Sequence, residues 1–233
     1  MTSLAEINGQ IVVCTRCPRL VWWREEVARR PPARYAGQTY WARPLPGFGD
    51  PRARVLAVGL APAAHGGNRT GRIFTGDRSG DFLFAALHRT GFANRPESIA
   101  PGDGLKLADL YLAAVNRCAP PSNRPTPEER DNCLPYLIAE LRALGQVRTI
   151  VCLGSFAWDG ALRALATLGH NVRPRPQFRH LAETGIGPYR LLGSYHPSQQ
   201  NTFTGKLTEA MLEAVFRRAR ELAADARKGF GAS

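Results

Sequence analysis

Lysine is nearly absent from this basic sequence. Only Lys106, Lys206 and Lys228 are found among its 31 basic residues, so arginine carries almost all of a net charge of +12. Because arginine forms planar hydrogen bonds to phosphate and stacks on bases, this composition indicates a polyanionic partner, although a genomic bias toward Arg, Ala, Gly and Pro would produce the same excess. The scarcity of lysine also disfavours a Schiff-base nucleophile.

Long apolar segments are missing as well. No run of the sequence is long enough to cross a membrane, and the first residues lack the apolar segment of a signal peptide. We therefore expect a cytoplasmic protein with reduced thiols. A chain of 233 residues with 44% hydrophobic content is large enough for one full core, so we expect a single domain over residues 1–233 that acts as a monomer.

Two common phosphate-binding motifs are also lacking, although one long loop has a suitable composition. Residues 55–77 read VLAVGLAPAAHGGNRTGRIFTGD, an apolar run typical of a strand buried on both faces, followed by a loop with four glycines. The loop has neither the G-x-G-x-x-G spacing nor a terminal Gly-Lys-Ser/Thr. Loops at the carboxyl edge of a parallel sheet commonly bind ligands, so we expect a site here that does more than bind phosphate.

Apolar runs alternate with helical periodicity along the rest of the chain. We predict strands at residues 55–60, 110–115, 149–153 and 189–195, and helices at residues 3–13, 19–29, 79–90, 126–144, 156–168 and 206–224. Residues 31–48 are expected to be an ordered connection, and residues 170–188 a loop or hairpin. Ser79 is predicted to cap the third helix, and Pro135 to kink the fourth. The alternation predicts a three-layer α/β fold with a four-stranded parallel sheet flanked by helices.

Four of the five cysteines have the spacing of a metal site. Cys14 and Cys17 form a C-x-x-C pair, and Cys118 and Cys133 flank a proline-rich segment rather than lying in apolar runs. In a reducing compartment such pairs more often hold a metal than a disulfide, and four thiolates suit a four-iron four-sulfur cluster or a structural zinc equally well. Unrelated buried cysteines are the alternative. Cys152 lies in an apolar run and is expected to be a core thiol.

Polar and aromatic residues follow the predicted strands at positions suited to chemistry. His196 comes just after the fourth strand, where it is either catalytic or a structural histidine. His65 in the first loop is the other candidate for a catalytic histidine. Phe74, Asp77 and Asn123 supply an aromatic face, a carboxylate and a planar amide, which are the groups needed to stack, hydrolyse and recognise a base. Asp77 is alternatively the cap of the next helix, and Asn123 a turn residue.

Five stretches of the sequence, taken together and in order, resemble the family-five uracil-DNA glycosylases of the uracil-DNA glycosylase superfamily. They are CTRCPRL, YWARPLPGFGD, GLAPAAHGGNRTGRIFTGD, RCAPPSNRPTPEE and SYHPSQQNT. The resemblance implies a four-stranded parallel sheet between helices and the removal of uracil and other deaminated bases from double-stranded DNA, leaving an intact abasic strand. It also implies a structural four-iron four-sulfur cluster, with Cys14, Cys17, Cys118 and Cys133 as its ligands.

The resemblance also implies roles for the loop residues. Leu60 stands where sister families carry an acidic residue, so Asp77 is the expected catalytic carboxylate, and His196 is expected to hydrogen-bond the departing base. The expected base-binding residues are Phe74, Asn123, Gly59 and Ala61. The expected DNA-binding residues are Arg69, Arg72, Arg78, Ser198, Gln199, Gln200 and Asn201. A metal-stabilised nucleic-acid-binding module without catalysis is the alternative function.

Overall fold

A computed structural model of the chain describes residues 2–229, with side chains described as far as residue 225. In chain order the strands are β1 (Phe48–Gly49), β2 (Val55–Gly59), β3 (Leu110–Ala114), β4 (Thr149–Leu153), β5 (Glu183–Ile186) and β6 (Tyr189–Ser194). The helices are α1 (Leu4–Val12), α2 (Pro18–Arg29), α3 (Gly67–Thr70), α4 (Arg78–Arg89), α5 (Pro127–Ala143), α6 (Ser155–Thr167), α7 (Gln199–Phe203) and α8 (Glu209–Gly229). The side chain of Lys228 lies outside the described part.

The strands form one mixed sheet of six strands in the order β1-β3-β2-β4-β6-β5. The four predicted strands are its parallel centre, with Ala57 of β2 paired to Leu112 on one side and Val151 on the other. The predicted strand number was wrong, because β1 pairs antiparallel with β3 and β5 pairs antiparallel with β6. β1 has two residues, too few for a periodic pattern, whereas β5 completes the hairpin that was one of the two predictions for residues 170–188.

Helices cover both faces of the sheet, as the predicted α/β architecture requires. Alternate residues along each central strand point to opposite faces, so one set packs under α4 and α8 and the other under α5 and α6. All five residues of β2, of β3 and of β4 are buried, which explains their continuous apolar sequences. Cys152 is fully buried in β4, so the expectation of a core thiol is confirmed. Within residues 2–229, no helix has the length and apolar character needed to traverse a bilayer.

Two helix starts show how the capping predictions fared. α5 begins with a capping box between Thr126 and Glu129, as predicted, and it continues through Pro135 to Ala143 as one helix. α4 begins one residue earlier than predicted, because Asp77 rather than Ser79 is its N-cap. The 17 residues from Leu60 to Gly76, together with Asp77, connect β2 to this helix, and we call residues 60–77 the β2 loop.

Candidate active site

Phe74 is held in an unusual conformation at the carboxyl end of β2. Its φ angle is +53°, a left-handed value that costs an aromatic residue energy. Two glycines make room for it: a Cβ at Gly59 would lie 2.5 Å from the Phe74 ring, and a Cβ at Gly80 would lie 1.9 Å from its carbonyl oxygen. Glycine at these two positions therefore gives the Phe74 ring room to lie over the end of β2.

His196 lies beside the Phe74 ring, with the two ring centroids 6.3 Å apart and tilted by 34°. It packs against Gly154 at the end of β4, and its carbonyl oxygen accepts a hydrogen bond of 2.8 Å from Asn201 Nδ2. Burial lowers the pKa of His196 to about 4, so the imidazole is neutral at pH 7. A neutral imidazole has one N–H, which is a donor suited to a carbonyl oxygen.

Asp77 uses its two carboxylate oxygens differently. Oδ1 accepts a 3.0 Å hydrogen bond from the backbone N–H of Gly80, so the helix-cap alternative describes a real contact. Oδ2 lies against Gly66, where a Cβ would come within 2.0 Å of it, and it accepts no hydrogen bond from the described residues. Capping thus orients the carboxylate while leaving one oxygen available, and the structural and chemical roles of Asp77 are compatible.

The arginines of the β2 loop point inward. Arg72 is 6% exposed, pairs with Asp103 at 2.9 Å and bonds Ser98 Oγ at 3.0 Å, so the predicted DNA contact would require breaking these bonds. Although burial alone would raise it, hydrogen bonds from Arg72 and from backbone N–H groups hold the pKa of Asp103 well below its usual range. This pair ties the β2 loop to the segment of residues 94–106.

Arg69 is also committed within the protein. Its guanidinium donates to the carbonyl oxygens of His65 at 2.8 Å and Gly76 at 3.0 Å and to Gln38 Oε1 at 3.0 Å, and it stacks 4.3 Å above the ring of Tyr35. These bonds close the β2 loop on itself. A direct phosphate contact by Arg69 would require breaking them.

Residues 31–48, predicted only as an ordered connection, pack on the β2 loop. Tyr40 Oη lies 3.0 Å from His65 Nδ1, and the Tyr35 ring stacks on the His65 ring with the centroids 5.9 Å apart. Burial and the charges of Arg34 and Arg69 lower the pKa of His65. The structure therefore gives His65 two aromatic packing partners, and the aromatic content of residues 31–48 was the sequence signal for them.

The segment after β6 presents side chains outward, and we call residues 195–204 the β6 loop. Ser198 Oγ caps α7 by accepting from the backbone of Asn201, and the Asn201 amide is occupied by His196. Gln199 and Gln200 are exposed, as is 65% of Phe203. The exposed guanidinium of Arg78 lies 4.7 Å above the Phe203 ring, which brings the start of α4 next to α7.

Asn123 lies in the loop after β3 and is exposed. Both Asn123 and Ser122 have left-handed φ angles, +55° and +54°, in a single turn of 3-10 helix. Two such residues in succession without glycine are strained, and strain of this kind occurs preferentially at functional loops. No hydrogen bond engages the Asn123 amide within the described part of the chain, so its donors and acceptor are free for a ligand. Ala61, at the start of the β2 loop, is partly exposed.

The four predicted ligand cysteines line one pocket. Its other walls are Arg16, Leu20, Val21, Pro44, Arg117, Asn132 and Tyr136. Hydrogen-bond donors are aimed at three of the sulfur atoms: Arg24 Nη1 lies 3.1 Å from Cys118 Sγ, the Arg117 backbone nitrogen 3.2 Å from Cys133 Sγ and Asn132 Nδ2 3.9 Å from Cys17 Sγ. We call this the cysteine pocket.

The donors around the cysteine pocket suit anionic sulfur. Burial is the main cause that raises the pKa of Cys118 to about 11 and that of Cys133 to about 12, although Arg24 and Arg117 oppose the shift. Such thiols lose their protons at neutral pH only when a bound cation compensates the charge. Among the side chains described, no group of three or more His, Cys, Asp or Glu residues is arranged to hold a single metal ion.

Several known proteins are similar to this chain in sequence. Residues 46–220 match the family described as the uracil DNA glycosylase superfamily. A type-5 uracil-DNA glycosylase of Mycobacterium tuberculosis is 55% identical over 223 residues, covering 95% of this chain and 82% of the relative. The type-5 protein of Thermus thermophilus is 52% identical over 214 residues, covering 91% and 95%. A type-4 uracil-DNA glycosylase of Archaeoglobus fulgidus is 38% identical over 114 residues, covering only 48% and 49%.

Proposed function

Because the chain belongs to the uracil-DNA glycosylase superfamily, we propose that it is a monofunctional glycosylase that removes uracil and other deaminated bases from double-stranded DNA by hydrolysis. The names of the relatives that cover nearly the whole chain support uracil excision and do not favour a binding module without catalysis. The observation that carries the proposal within the structure is the Phe74 ring, fixed over Gly59 beside a neutral His196.

The target base leaves the duplex before the reaction. Flipping costs a few kcal/mol, and less for a mispaired base, so deaminated bases are partly selected by their weak pairing. Phe74 provides the stacking surface, and Gly59 and Ala61 form the backbone floor next to it. The free amide of Asn123 contacts the edge of the base or the adjacent position.

His196 donates its single N–H to a carbonyl oxygen of the base. Negative charge develops on that oxygen as the glycosidic bond breaks, so the hydrogen bond is stronger in the transition state than in the bound substrate. Since the imidazole is already neutral at pH 7, it needs no proton from solvent to act as this donor.

Asp77 positions the attacking water and stabilises the positive charge that develops on the sugar. Oδ2 is the oxygen available for this role, because Oδ1 is held by Gly80. Leu60 has no group to activate water, and the three lysines of the chain lie outside the β2 loop, which favours water over an amine nucleophile.

The β6 loop and Arg78 contact the DNA. Ser198, Gln199 and Gln200 lie on the outward side of this loop, and Arg78 with Phe203 extends the same surface. Phe203 is an apolar side chain of the kind that inserts between base pairs. Of Arg69, Arg72 and Arg78, it is Arg78 that contacts a phosphate. Asn201 supports the surface indirectly through the carbonyl oxygen of His196, and Arg69 acts by holding the β2 loop together.

Cys14, Cys17, Cys118 and Cys133 hold a structural four-iron four-sulfur cluster, for which the donors aimed at their sulfur atoms are suited. The bound group would join α2 to the segment after β3 and to α5, and keep the thiols deprotonated.

With such a cluster the purified protein should be brown, whereas zinc would leave it colourless. Cys118→Ala should lose iron, whereas Cys152→Ala should keep it; full iron in the first variant would remove Cys118 from the ligand set. The protein would act as a cytoplasmic monomer, where its thiols remain reduced.

The central test is base release by Gly59→Ala in single-turnover assays with a uracil-containing duplex. The added Cβ would meet the Phe74 ring at 2.5 Å and displace it, which should slow release by about a hundredfold, the effect of a misplacement of roughly 1 Å. Gly9→Ala is the matched control, because nothing lies within 4 Å of its added Cβ. A Gly59→Ala protein with an intact fold and full rate would remove Phe74 from the site, and a wild-type chain that binds duplex without releasing base would refute the function itself.

A further inference from the structure

Arg24 is a buried cation that has no carboxylate partner among the described residues. It lies in α2, is 4% exposed, and its described hydrogen bonds go to Cys118 Sγ at 3.1 Å and to the carbonyl oxygen of Cys14 at 3.4 Å. Its Nε has no partner in the described structure. A buried guanidinium is costly unless an anion lies beside it, and among the described residues the groups next to Arg24 that can carry a negative charge are sulfur atoms of the cysteine pocket.

Asn68 connects the same turn of α2 to the β2 loop. Its side chain is fully buried, and Nδ2 donates a 3.1 Å hydrogen bond to the carbonyl oxygen of Arg24. Asn68 belongs to α3, whose N-cap Gly66 packs against the Asp77 carboxylate. Within the described residues this is the one side-chain hydrogen bond between α2 and the β2 loop. A continuous path therefore runs from Cys118 through Arg24 and Asn68 to the segment that supports Asp77.

We infer that Arg24 and Asn68 are positioning residues that make the geometry of the β2 loop depend on occupancy of the cysteine pocket. The inference rests on the proposed cluster. The negative charge of the thiolate-bound group attracts the Arg24 side chain and so fixes this turn of α2. The carbonyl oxygen of Arg24 then accepts the hydrogen bond from Asn68, which keeps α3 beside the Asp77 carboxylate. When the pocket lacks its group, Arg24 loses the bound anion beside it, and α3 loses its fixed support.

Amide hydrogen exchange tests this path without relying on activity. Peptides within residues 63–77 should exchange faster after iron is removed from the wild-type protein, while β2, β3 and β4 remain protected. Asn68→Leu, which keeps the side-chain volume but not the hydrogen bond, should give a similar effect in the iron-loaded state, by about fivefold for one ordinary hydrogen bond. Iron removal should add little to Asn68→Leu, because both changes break the same path.

Asn116 offers a closely matched control. Like Asn68, Asn116 is fully buried, and its Nδ2 donates a 3.0 Å hydrogen bond to a carbonyl oxygen in a helix, that of Glu129. The Oδ1 atoms of both residues have no hydrogen-bond partner among the described residues. Asn116→Leu should therefore loosen residues near 116–129 but leave exchange within 63–77 unchanged in molecules with full iron. Arg24→Met should behave like Asn68→Leu, and Arg24→Lys, which restores the charge, should recover part of the protection.

The outcomes separate this inference from the proposals beneath it. If the wild-type protein carries full iron and releases base, but Asn68→Leu leaves exchange within 63–77 unchanged, the path is wrong and the cluster stands. Additive effects of Asn68→Leu and iron removal would overturn it as well. An active wild-type protein without iron would refute both the cluster and the path. Should iron-free protein unfold, the iron-loaded Asn68→Leu and Asn116→Leu pair decides the question alone.

Discussion

The β2 loop and the β6 loop leave the same edge of the sheet but use their polar side chains in opposite ways. In the β2 loop, Arg69 and Arg72 bond carbonyl oxygens, a carboxylate and a hydroxyl inside the protein. In the β6 loop, Gln199, Gln200 and Phe203 are exposed, and the hydrogen bonds of Ser198 and Asn201 are local. One loop is cross-linked within the protein, and the other leaves several side chains exposed to solvent.

This difference shows that arginine content does not locate a DNA-binding surface. Both Arg72 and Arg78 are close in sequence to Asp77, yet the first is buried in an ion pair and the second is exposed above an aromatic ring. A charged side chain contributes to DNA binding only when its donors are not already used. The following changes test each half of the contrast.

Removing the charge of Asp77 should have the largest effect. Asp77→Asn keeps an oxygen to cap α4 but cannot stabilise positive charge, so base release should slow by roughly tenfold to ten-thousandfold with little change in DNA affinity. Asp77→Ala should also lose the cap, at a cost of about 1 kcal/mol in unfolding free energy. Single-turnover kinetics and urea unfolding separate the two. A full-rate Asp77→Asn protein would make the residue a helix cap only, and a borohydride-trapped complex would overturn the water mechanism.

Breaking the buried pair of the β2 loop should affect stability more than binding. Arg72→Met leaves Asp103 buried without its partner, and the free energy of unfolding should fall by about 3–5 kcal/mol. The salt dependence of DNA affinity should stay at its wild-type slope, measured in protein that remains folded. A reduced slope with unchanged stability would place Arg72 on the DNA after all.

His196 of the β6 loop should make stability depend on pH. The pKa of His196 is about 4 in the folded protein and near 6.5 when unfolded, so its neutral state contributes fully above pH 6.5 and the contribution is lost as the pH falls toward 4. Between these limits, the difference in unfolding free energy between wild type and His196→Asn should change by about 1.4 kcal/mol per pH unit. Denaturation curves at pH 7.5 and 5 measure it; a constant difference would mean that the imidazole is not desolvated.

Removing Arg78 should have a small effect, confined to binding. Arg78→Gln should lower the slope of log affinity against log salt by about 0.9 for one lost phosphate contact on duplex DNA, with little change in stability because the side chain is exposed. Equilibrium binding across a salt series provides the slope. Arg217→Gln on α8 is the comparison, and an equal loss in both variants would indicate general charge attraction rather than a contact.

The sequence predicted those parts of the fold that depend on local pattern. The central strands β2, β3 and β4 are largely apolar runs, and α5 begins at its capping box. β1 and α3 have two and four residues, too few for a period to appear, and both exist only through contacts with distant segments. Such elements are set by tertiary context rather than by propensity.

The candidate site was predicted as a set of residues but not as an arrangement. Asp77, Phe74 and His196 were found from their positions after strands, and the structure places the Phe74 and His196 rings side by side. The inward direction of Arg72 could not be predicted, because its partner Asp103 is 31 residues away in a loop without periodicity. The link from Arg24 to Asn68 likewise spans 44 residues and leaves no local signal.

The short outer strands of the sheet bear on how the protein behaves at high concentration. β1 offers two residues to the outside, and β5, which has four residues, contains Gly185 and carries Glu183, which pairs with Arg218 at 2.9 Å. A long flat edge would present free N–H and C=O groups on which another chain could add a strand, and aggregation would begin there. By ending the parallel centre with two such short strands, the chain limits edge-to-edge pairing between its own copies.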